Sequence, residues 1–185
     1  MNPFAFTPRV DARVTLIGLS IALPATMASA DLVDRWTVGE GDSTATLQFD
    51  FMNANTYVFD IAFDGVLTGR GVFDLLAADD TGRFGFAFEV ISYSFGDFLV
   101  GVGIEDDYHY GAGSPPDYAD SWHYWTAEGP DAWSASMIGF SDRELSDGSR
   151  DAWVFGSFDS PAAIPAPGSL AMLAVGLLGS RRRRR

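Results

Sequence analysis

Two histidines and a group of carboxylates are the residues of this chain that could bind a metal ion. His109 and His123 are its only histidines, and both lie near aromatic and acidic residues in the sequence. A site would join one of them to nearby carboxylates, which are Asp106, Asp107, Asp117 and Asp120. Oxygen ligands suit Ca²⁺ better than Zn²⁺. The spacing of an EF-hand loop is missing, so Ca²⁺ remains an unspecific candidate and no metal ligand is assigned.

Recognisable catalytic patterns are also missing from the sequence. The chain has no cysteine or lysine to act as a nucleophile, and it has no Gly-x-Ser-x-Gly, His-Glu-x-x-His or glycine-rich phosphate-binding motif. Its many acidic residues produce carboxylate pairs by chance, so no single pair indicates a glycosidase. We therefore expect a protein that is not an enzyme.

A long polar segment, residues 105–120, combines tyrosines with carboxylates and shows no hydrophobic periodicity. We expect it to be a loop, and long loops on a rigid scaffold often carry binding residues. Tyr108 and Tyr110 in this segment are therefore candidate ligand contacts.

Alternating aromatic and β-branched residues predict that the scaffold around this loop is mostly β. Residues 45–51 and 57–63 alternate on either side of a turn at 52–55, which predicts a hairpin. Residues 84–90 and 98–104 also alternate. Gly101 and Gly103 leave one face of the latter bare for close approach by another group. Further strands are expected in three short segments, at 122–125, 133–138 and 152–155.

One internal helix is expected from Arg70 to Asp79, with Thr68 as its N-cap and Gly82 as its C-terminal stop. A hairpin followed by a helix and then by more strands favours an α+β fold that is mostly β. We predict a β-grasp-like antiparallel or mixed sheet carrying one helix, with an all-β sandwich as the alternative. An N-terminal signal helix and a short C-terminal apolar helix would flank this domain.

The charge of residues 31–164 is strongly negative. The chain has 25 acidic and 12 basic residues, and this region holds 24 of the acidic but only five of the basic ones, a net charge of −19. Such a field repels phosphate backbones and anionic lipids, so nucleic-acid and peripheral membrane binding by this domain are not expected. This negative charge favours binding of cations, or of a charged extracellular polymer through bridging divalent ions. The alternative is an acidic surface that is simply solvated. Without cysteine, the domain must be stabilised by its core alone.

The N-terminal 30 residues have the pattern of a signal peptide. Arg9 and Arg13 precede the apolar run 14–23, and Ala28-Ser29-Ala30 provides the small residues at positions that signal peptidase recognises. A transmembrane helix is the alternative, but the run is short and Pro24 follows it. We therefore expect residues 1–30 to be removed after Ala30.

The C-terminal tail combines three signals in a fixed order. Residues 161–167 form a proline-rich linker ending in Pro165-Ala166-Pro167, and residues 168–185 contain an apolar stretch, 170–178, followed by a basic end. The stretch is shorter than the roughly 20 residues of a spanning helix, so it suits a transient hold on the membrane, oriented by the cationic end. The basic residues are Arg181, Arg182, Arg183, Arg184 and Arg185.

This tail resembles the PEP-CTERM sorting signal, with Ala166 in place of the usual glutamate. The resemblance implies processing by an exosortase, transient membrane association through the tail, and delivery to the cell envelope, surface or extracellular matrix of a bacterium. An amphiphilic tail with a basic end is the alternative.

The central domain, residues 31–160, resembles a bacterial family similar to the C-terminal domain of transcobalamin. The matching positions are Gly71 to Ala78, Asp120-Ser-Trp-His-Tyr-Trp125, Trp133, Gly139, Leu145-Ser-Asp-Gly148 and Trp153-Val-Phe155. The resemblance implies that the domain covers one face of a corrinoid or a similar flat ligand. Trp122, Tyr124 and Trp125 would then be contacts, since rigid aromatic rings bind with little loss of entropy. Strand alternation would place Trp122 and Tyr124 on one face and His123 and Trp125 on the other, so part of the cluster belongs to the core.

We therefore expect an exported, non-catalytic surface or matrix protein, with signal peptidase and exosortase as processing partners and an extracellular polysaccharide as a further partner. A small-ligand-binding module is the alternative. A structural protein should bury the cluster at 122–125, whereas a binding module should leave several of its rings lining an open concavity.

Overall fold

A six-stranded mixed sheet is the main element of this protein, whose computed structural model describes residues 31–164. The expected signal peptide, the Pro165–Pro167 motif and the arginine tail lie outside the described residues. The elements are β1 Asp31–Gly39, β2 Ser43–Asp50, β3 Asn55–Phe63, β4 Leu67–Thr68, α1 Gly69–Ala77, β5 Phe86–Tyr93, β6 Gly96–Ile104, β7 Asp107–Tyr110, β8 Trp122–Glu128, β9 Ser134–Ala135, β10 Glu144–Leu145 and β11 Ser149–Phe155.

The large sheet has the strand order β1-β3-β2-β11-β8-β9. Strands β2 and β3 form the predicted antiparallel hairpin, and the last strand, β11, runs parallel to β2 and antiparallel to β8. A parallel neighbour requires a crossover, and here the crossover contains α1 and the other strands. The predicted α+β, mostly β fold with a β-grasp-like sheet is confirmed. Strand β1 extends the sheet as a parallel neighbour of β3.

A second layer covers one face of the large sheet. It contains α1 and a three-stranded antiparallel sheet, β5-β6-β7. Aromatic rings from both layers form the core, where Phe49, Phe73 and Trp153 are almost fully buried and meet mostly edge to face. This face of the large sheet is called the core face below, and the opposite one the outer face.

Helix α1 begins as predicted and ends earlier. The Thr68 side chain accepts a hydrogen bond from the Gly71 N–H at 3.1 Å. The helix ends at Ala77 with Ala78 as its C-cap, so the prediction that Gly82 ends it is wrong. Gly82 adopts φ = +69° in the following loop, where a left-handed backbone turns the chain toward β5.

The segment 105–120 is not entirely a loop, because β7 pairs with β6. Asp107 starts this strand and accepts hydrogen bonds from Asn53 at 2.8 Å, Asn55 at 2.7 Å and the Tyr57 hydroxyl at 2.7 Å. Polar residues that indicated a loop therefore fasten the small sheet to the turn of the β2–β3 hairpin. The strand expected at 133–138 is reduced to the two residues of β9.

Candidate functional site

An open cleft of about 450 Å³ lies along β8, close to the edge of the large sheet. This volume falls within the range of roughly 300–1,000 Å³ typical of small-molecule sites. The walls come from the start of β6, from β8, from the segment 135–140, which begins with the last residue of β9, and from Trp153 and Phe158. Most of these side chains are apolar or aromatic, as in typical ligand pockets.

Strand β8 supplies side chains from both of its faces. Trp122 and Tyr124 pair with Phe155 and Trp153 of β11 on the core face, so His123 and Trp125 project on the outer face. Trp122 is buried and the other three are half-buried. All four line the cleft because it follows the sheet edge, where β9 pairs only with residues 125–126.

A stacked pair of rings forms one wall of the cleft. The Tyr124 and Trp153 rings are nearly parallel, with centroids 4.4 Å apart and an interplanar angle of 12°. The Tyr124 hydroxyl donates to the Asp151 carboxylate, which also accepts from Arg143 Nε at 3.3 Å. Arg143 Nη2 in turn donates to Glu128 Oε1 at 2.6 Å. This network fixes the ring orientation without a ligand, which lowers the entropy cost of binding.

Burial shifts the pKa values of the titratable groups around this wall. Burial raises the pKa of Asp151 and outweighs the hydrogen bonds from Tyr124 and Arg143. The pKa of Tyr124 is also raised, first by burial and then by the adjacent Asp151 charge, so the phenol stays neutral. Burial lowers the pKa of His123, which favours a neutral imidazole at pH 7.

The cleft carries little charge although the domain is strongly acidic. Asp97 is the single carboxylate among the described residues that line it. Its charge is paired with Arg70, and it also accepts a hydrogen bond from Ser92 Oγ at 2.6 Å. A neutral concavity on a domain of net charge −19 can receive an apolar molecule without desolvating an unpaired charge.

Three exposed apolar side chains surround the mouth of the cleft. Phe98, Ile138 and Phe158 keep 40%, 53% and 62% of their surface exposed, and each comes from a different segment. Apolar side chains grouped around a concavity are typical of binding surfaces.

Tyr108 and Tyr110 lie elsewhere, on the outward side of the three-stranded sheet. Both are more than half exposed and neither lines the cleft. The Tyr108 hydroxyl donates to Glu89 Oε1 at 2.6 Å, and a Cβ built on Gly103 would lie 3.4 Å from the Tyr108 ring. A ring therefore approaches this bare glycine as the sequence predicted. This surface, formed by Glu89, Gly101, Gly103, Tyr108 and Tyr110, is called the tyrosine face.

His109 packs among aromatic rings of the core. The His109 ring lies 4.8 Å from the Phe155 ring and 5.4 Å from the Phe51 ring, measured between centroids. Within residues 31–164, no group of three or more His, Asp or Glu side chains is placed to hold a metal ion.

Within the same range, no helix is both long and apolar enough to cross a bilayer.

Several cleft residues had no signal in the local sequence. Trp153, Phe98, Ile138 and Phe158 reach the cleft from three distant parts of the chain. Arg143, which supports the wall through Asp151, was easier to single out from the sequence, because it is one of only five basic residues between 31 and 164.

No protein-family description matches this chain, and no curated protein is significantly similar to it.

Proposed function

We propose that this chain is an exported, non-catalytic protein whose domain binds a small ligand in the cleft along β8. The observation that carries the proposal is the open cleft with a stacked Tyr124–Trp153 wall held in place by Asp151 and Arg143. Tyr124 and Trp125 are half-buried and present ring surface to a ligand, whereas Trp122 and Trp153 are buried and support them from the core.

The chemistry of the cleft favours a planar, apolar ligand that is neutral or cationic. Flat rings bind flat molecules through stacking contacts, and the negative field of the domain disfavours anions. A corrinoid, suggested by the sequence resemblance, is one candidate whose flat face would rest on these rings.

Export and sorting complete the proposal. Signal peptidase would remove residues 1–30, and an exosortase would process the tail at the Pro165–Pro167 motif. The protein would then reside at the bacterial cell surface or in the extracellular matrix, where an extracellular polysaccharide is a further candidate partner. A purely structural role at the surface is the alternative.

Ligand binding is tested with the neutral aromatic dye N-phenyl-1-naphthylamine, added to the full-length protein. We expect saturable dye fluorescence and quenching of tryptophan emission. Cobalamin-type corrinoids, neutral sugars and Ca²⁺ then serve as competitors, with denatured protein correcting for absorbance by coloured ligands. Displacement identifies the ligand class, whereas absence of saturable dye binding would contradict the ligand-binding proposal and favour the structural role.

A matched pair of variants assigns the dye to the cleft. Phe98→Ala removes an exposed ring at the mouth, so we expect dye affinity to fall about fivefold, from roughly 1 kcal/mol of lost contact. Tyr110→Ala removes a ring from the tyrosine face that is 53% exposed, against 40% for Phe98, and it should leave the affinity unchanged. Equal effects of both variants would place the dye outside the cleft.

Export is tested by mass spectrometry of the secreted protein. We expect its N-terminus at Asp31, because Ala28 and Ala30 are the small residues that signal peptidase requires. The double variant Ala28→Leu, Ala30→Leu should accumulate as the uncleaved precursor. A mature N-terminus elsewhere would exclude the assigned cleavage site.

A further inference from the structure

The chain turns back over the outer face of the large sheet after its last strand. Gly156 follows β11 with φ = +75°, a conformation that favours glycine. A short turn comes next, in which the Asp159 N–H donates to Ser157 Oγ at 3.0 Å. The segment 157–164, called the strap below, then crosses β2.

Two side chains of β2 hold the backbone of a single strap residue. The Ala162 N–H donates to Asp50 Oδ2 at 2.8 Å, and Gln48 Nε2 donates to the Ala162 carbonyl at 3.0 Å. Gln48 also donates to Asp50 Oδ1 at 2.8 Å, and Thr56 Oγ1 donates to the same atom at 2.7 Å. Both backbone polar groups of Ala162 are thereby satisfied by neighbouring residues on one face of one strand.

These side chains are buried where a solvated sheet face would leave them exposed. Gln48, Asp50 and Thr56 retain 1%, 8% and 0% of their surface. A buried carboxylate is costly unless donors surround it, and the strap supplies one of the three donors that Asp50 receives. Gln48 and Asp50 therefore match a peptide backbone, with one donor and one acceptor aimed at the same residue.

We propose that the outer face of β2 is a binding site for an extended peptide, and that the chain's own strap occupies it. Recognition rests on backbone groups, because Gln48 donates to the C=O of Ala162 and Asp50 accepts a hydrogen bond from its N–H. The peptide class is an extended, uncharged segment with a free N–H between small or apolar residues.

The strap also connects this site to the cleft. Phe158 lies between Gly156 and the clamped Ala162, and its ring packs on His123 with centroids 4.1 Å apart. Phe158 is part of the cleft wall, so a docked strap completes that wall. A ligand that touches Phe158 stabilises the docked strap, and the docked strap raises ligand affinity by the same factor. This coupling, unlike the peptide site itself, rests on the proposed function.

Strap docking can be measured without a ligand because the chain has no cysteine. Val154 pairs with Asp50 in the sheet register and is 8% exposed, so Val154→Cys places a unique thiol beside the clamp. In this background of the full-length protein, Ala162→Pro removes the N–H that Asp50 accepts. Ser160→Pro is the control, because Ser160 is exposed and takes part in none of the clamp bonds.

We expect Ala162→Pro to accelerate maleimide labelling of the thiol about tenfold or more relative to Ser160→Pro, since a hydrogen bond to a charged group is lost. Excess synthetic peptide of residues 157–164 should slow labelling again. Circular dichroism confirms that both variants remain folded. Equal labelling rates in the two variants, or no effect of the peptide, would overturn the proposal.

A second variant keeps the test decisive if Ala162→Pro unfolds. Phe158→Ala keeps both clamp bonds and removes the strap ring that packs on His123, so we expect it to accelerate labelling about threefold. An unchanged rate would show that the strap does not cover the sheet face.

The coupling has its own readout. Dye affinity should fall in Ala162→Pro and stay unchanged in Ser160→Pro. Equal affinities would refute the coupling while leaving the peptide site supported by the thiol data. No dye binding to the wild-type protein would refute the proposed function and, with it, the coupling.

Discussion

The cleft and the tyrosine face each contain a tyrosine hydrogen-bonded to a carboxylate, but the surroundings of the two pairs differ. In each, a tyrosine hydroxyl donates to a carboxylate, Tyr124 to Asp151 in the cleft wall and Tyr108 to Glu89 on the tyrosine face. Asp151 is buried, whereas Tyr108 and Glu89 are exposed. The first pair fixes a ring against Trp153, and the second lies on an open sheet surface.

This difference shows why aromatic content alone does not identify a binding site. A concave site removes a ligand from water on several sides, whereas an open sheet face contacts it on one side only. Burial also makes the Tyr124 bond more consequential, because water cannot replace a partner that is lost.

Removing a ring from each region should give the largest contrast. Trp153→Ala deletes a buried side chain that contacts Phe73 and Phe140, and we expect the free energy of unfolding to fall by about 3–5 kcal/mol. Tyr110→Ala on the tyrosine face should change it by less than about 0.5 kcal/mol. Urea unfolding of the full-length protein measures both. Similar losses would show that the two regions are equally important for stability.

Removing only the hydroxyl groups should give a smaller contrast. Tyr124→Phe leaves Asp151 buried with one donor fewer, so we expect a loss of about 2 kcal/mol. Tyr108→Phe leaves Glu89 free to bind water, and the change should be within about 0.5 kcal/mol. The same unfolding assay applies, and a costly Tyr108→Phe would mean that the tyrosine face is as well ordered as the cleft.

The contributions of Asp151 and Asp107 to stability should change with pH in opposite directions, because their pKa values are shifted in opposite directions. The pKa of Asp151 is raised in the folded protein, so its contribution to the free energy of unfolding is complete below the unfolded-state pKa of about 4. This contribution is lost as the pH rises through the folded-state pKa. Burial opposes the charge of Asp107 as well, but hydrogen bonds from Asn55, Tyr57 and Asn53 outweigh it and lower its pKa. Its contribution is complete above about pH 4 and is lost as pH falls through its folded value.

These signs are tested with Asp151→Asn and Asp107→Asn. The stability advantage of wild type over Asp151→Asn should shrink as pH rises from 3 toward neutrality. The advantage over Asp107→Asn should shrink as pH falls below about 4. Parallel curves for the two variants would contradict the assigned environments.

Much of the fold was predictable because its signals are local. The alternation at 45–51 and 57–63 predicted the β2–β3 hairpin, and Thr68 marked the start of α1. Strand β7 was not predicted, because pairing with β6 and the three donors to Asp107 outweighed the loop-like composition of residues 105–110. The end of α1 was predicted too late, since the helix ends at Ala77 and not at Asp79.

The candidate site was only partly predictable. Trp122, Tyr124 and Trp125 were singled out and do line the cleft, whereas Tyr108 and Tyr110, expected from the loop argument, lie apart from it. Strand alternation correctly divided β8 between two faces, but it could not show that a sheet edge exposes both faces to one cleft.

The amino-acid sequence was sufficient to establish the acidic character of the domain, its lack of cysteine and lysine, its mostly β composition, and the terminal patterns that predict export. These properties depend on residue type and local order. The folded chain was needed to show that Trp153 stacks on Tyr124, that Phe98 and Phe158 lie at the mouth of one cleft, and that Gln48 and Asp50 hold the backbone of Ala162. These arrangements bring together residues distant in the chain, which depends on long-range strand pairing and side-chain hydrogen bonds and not on local pattern.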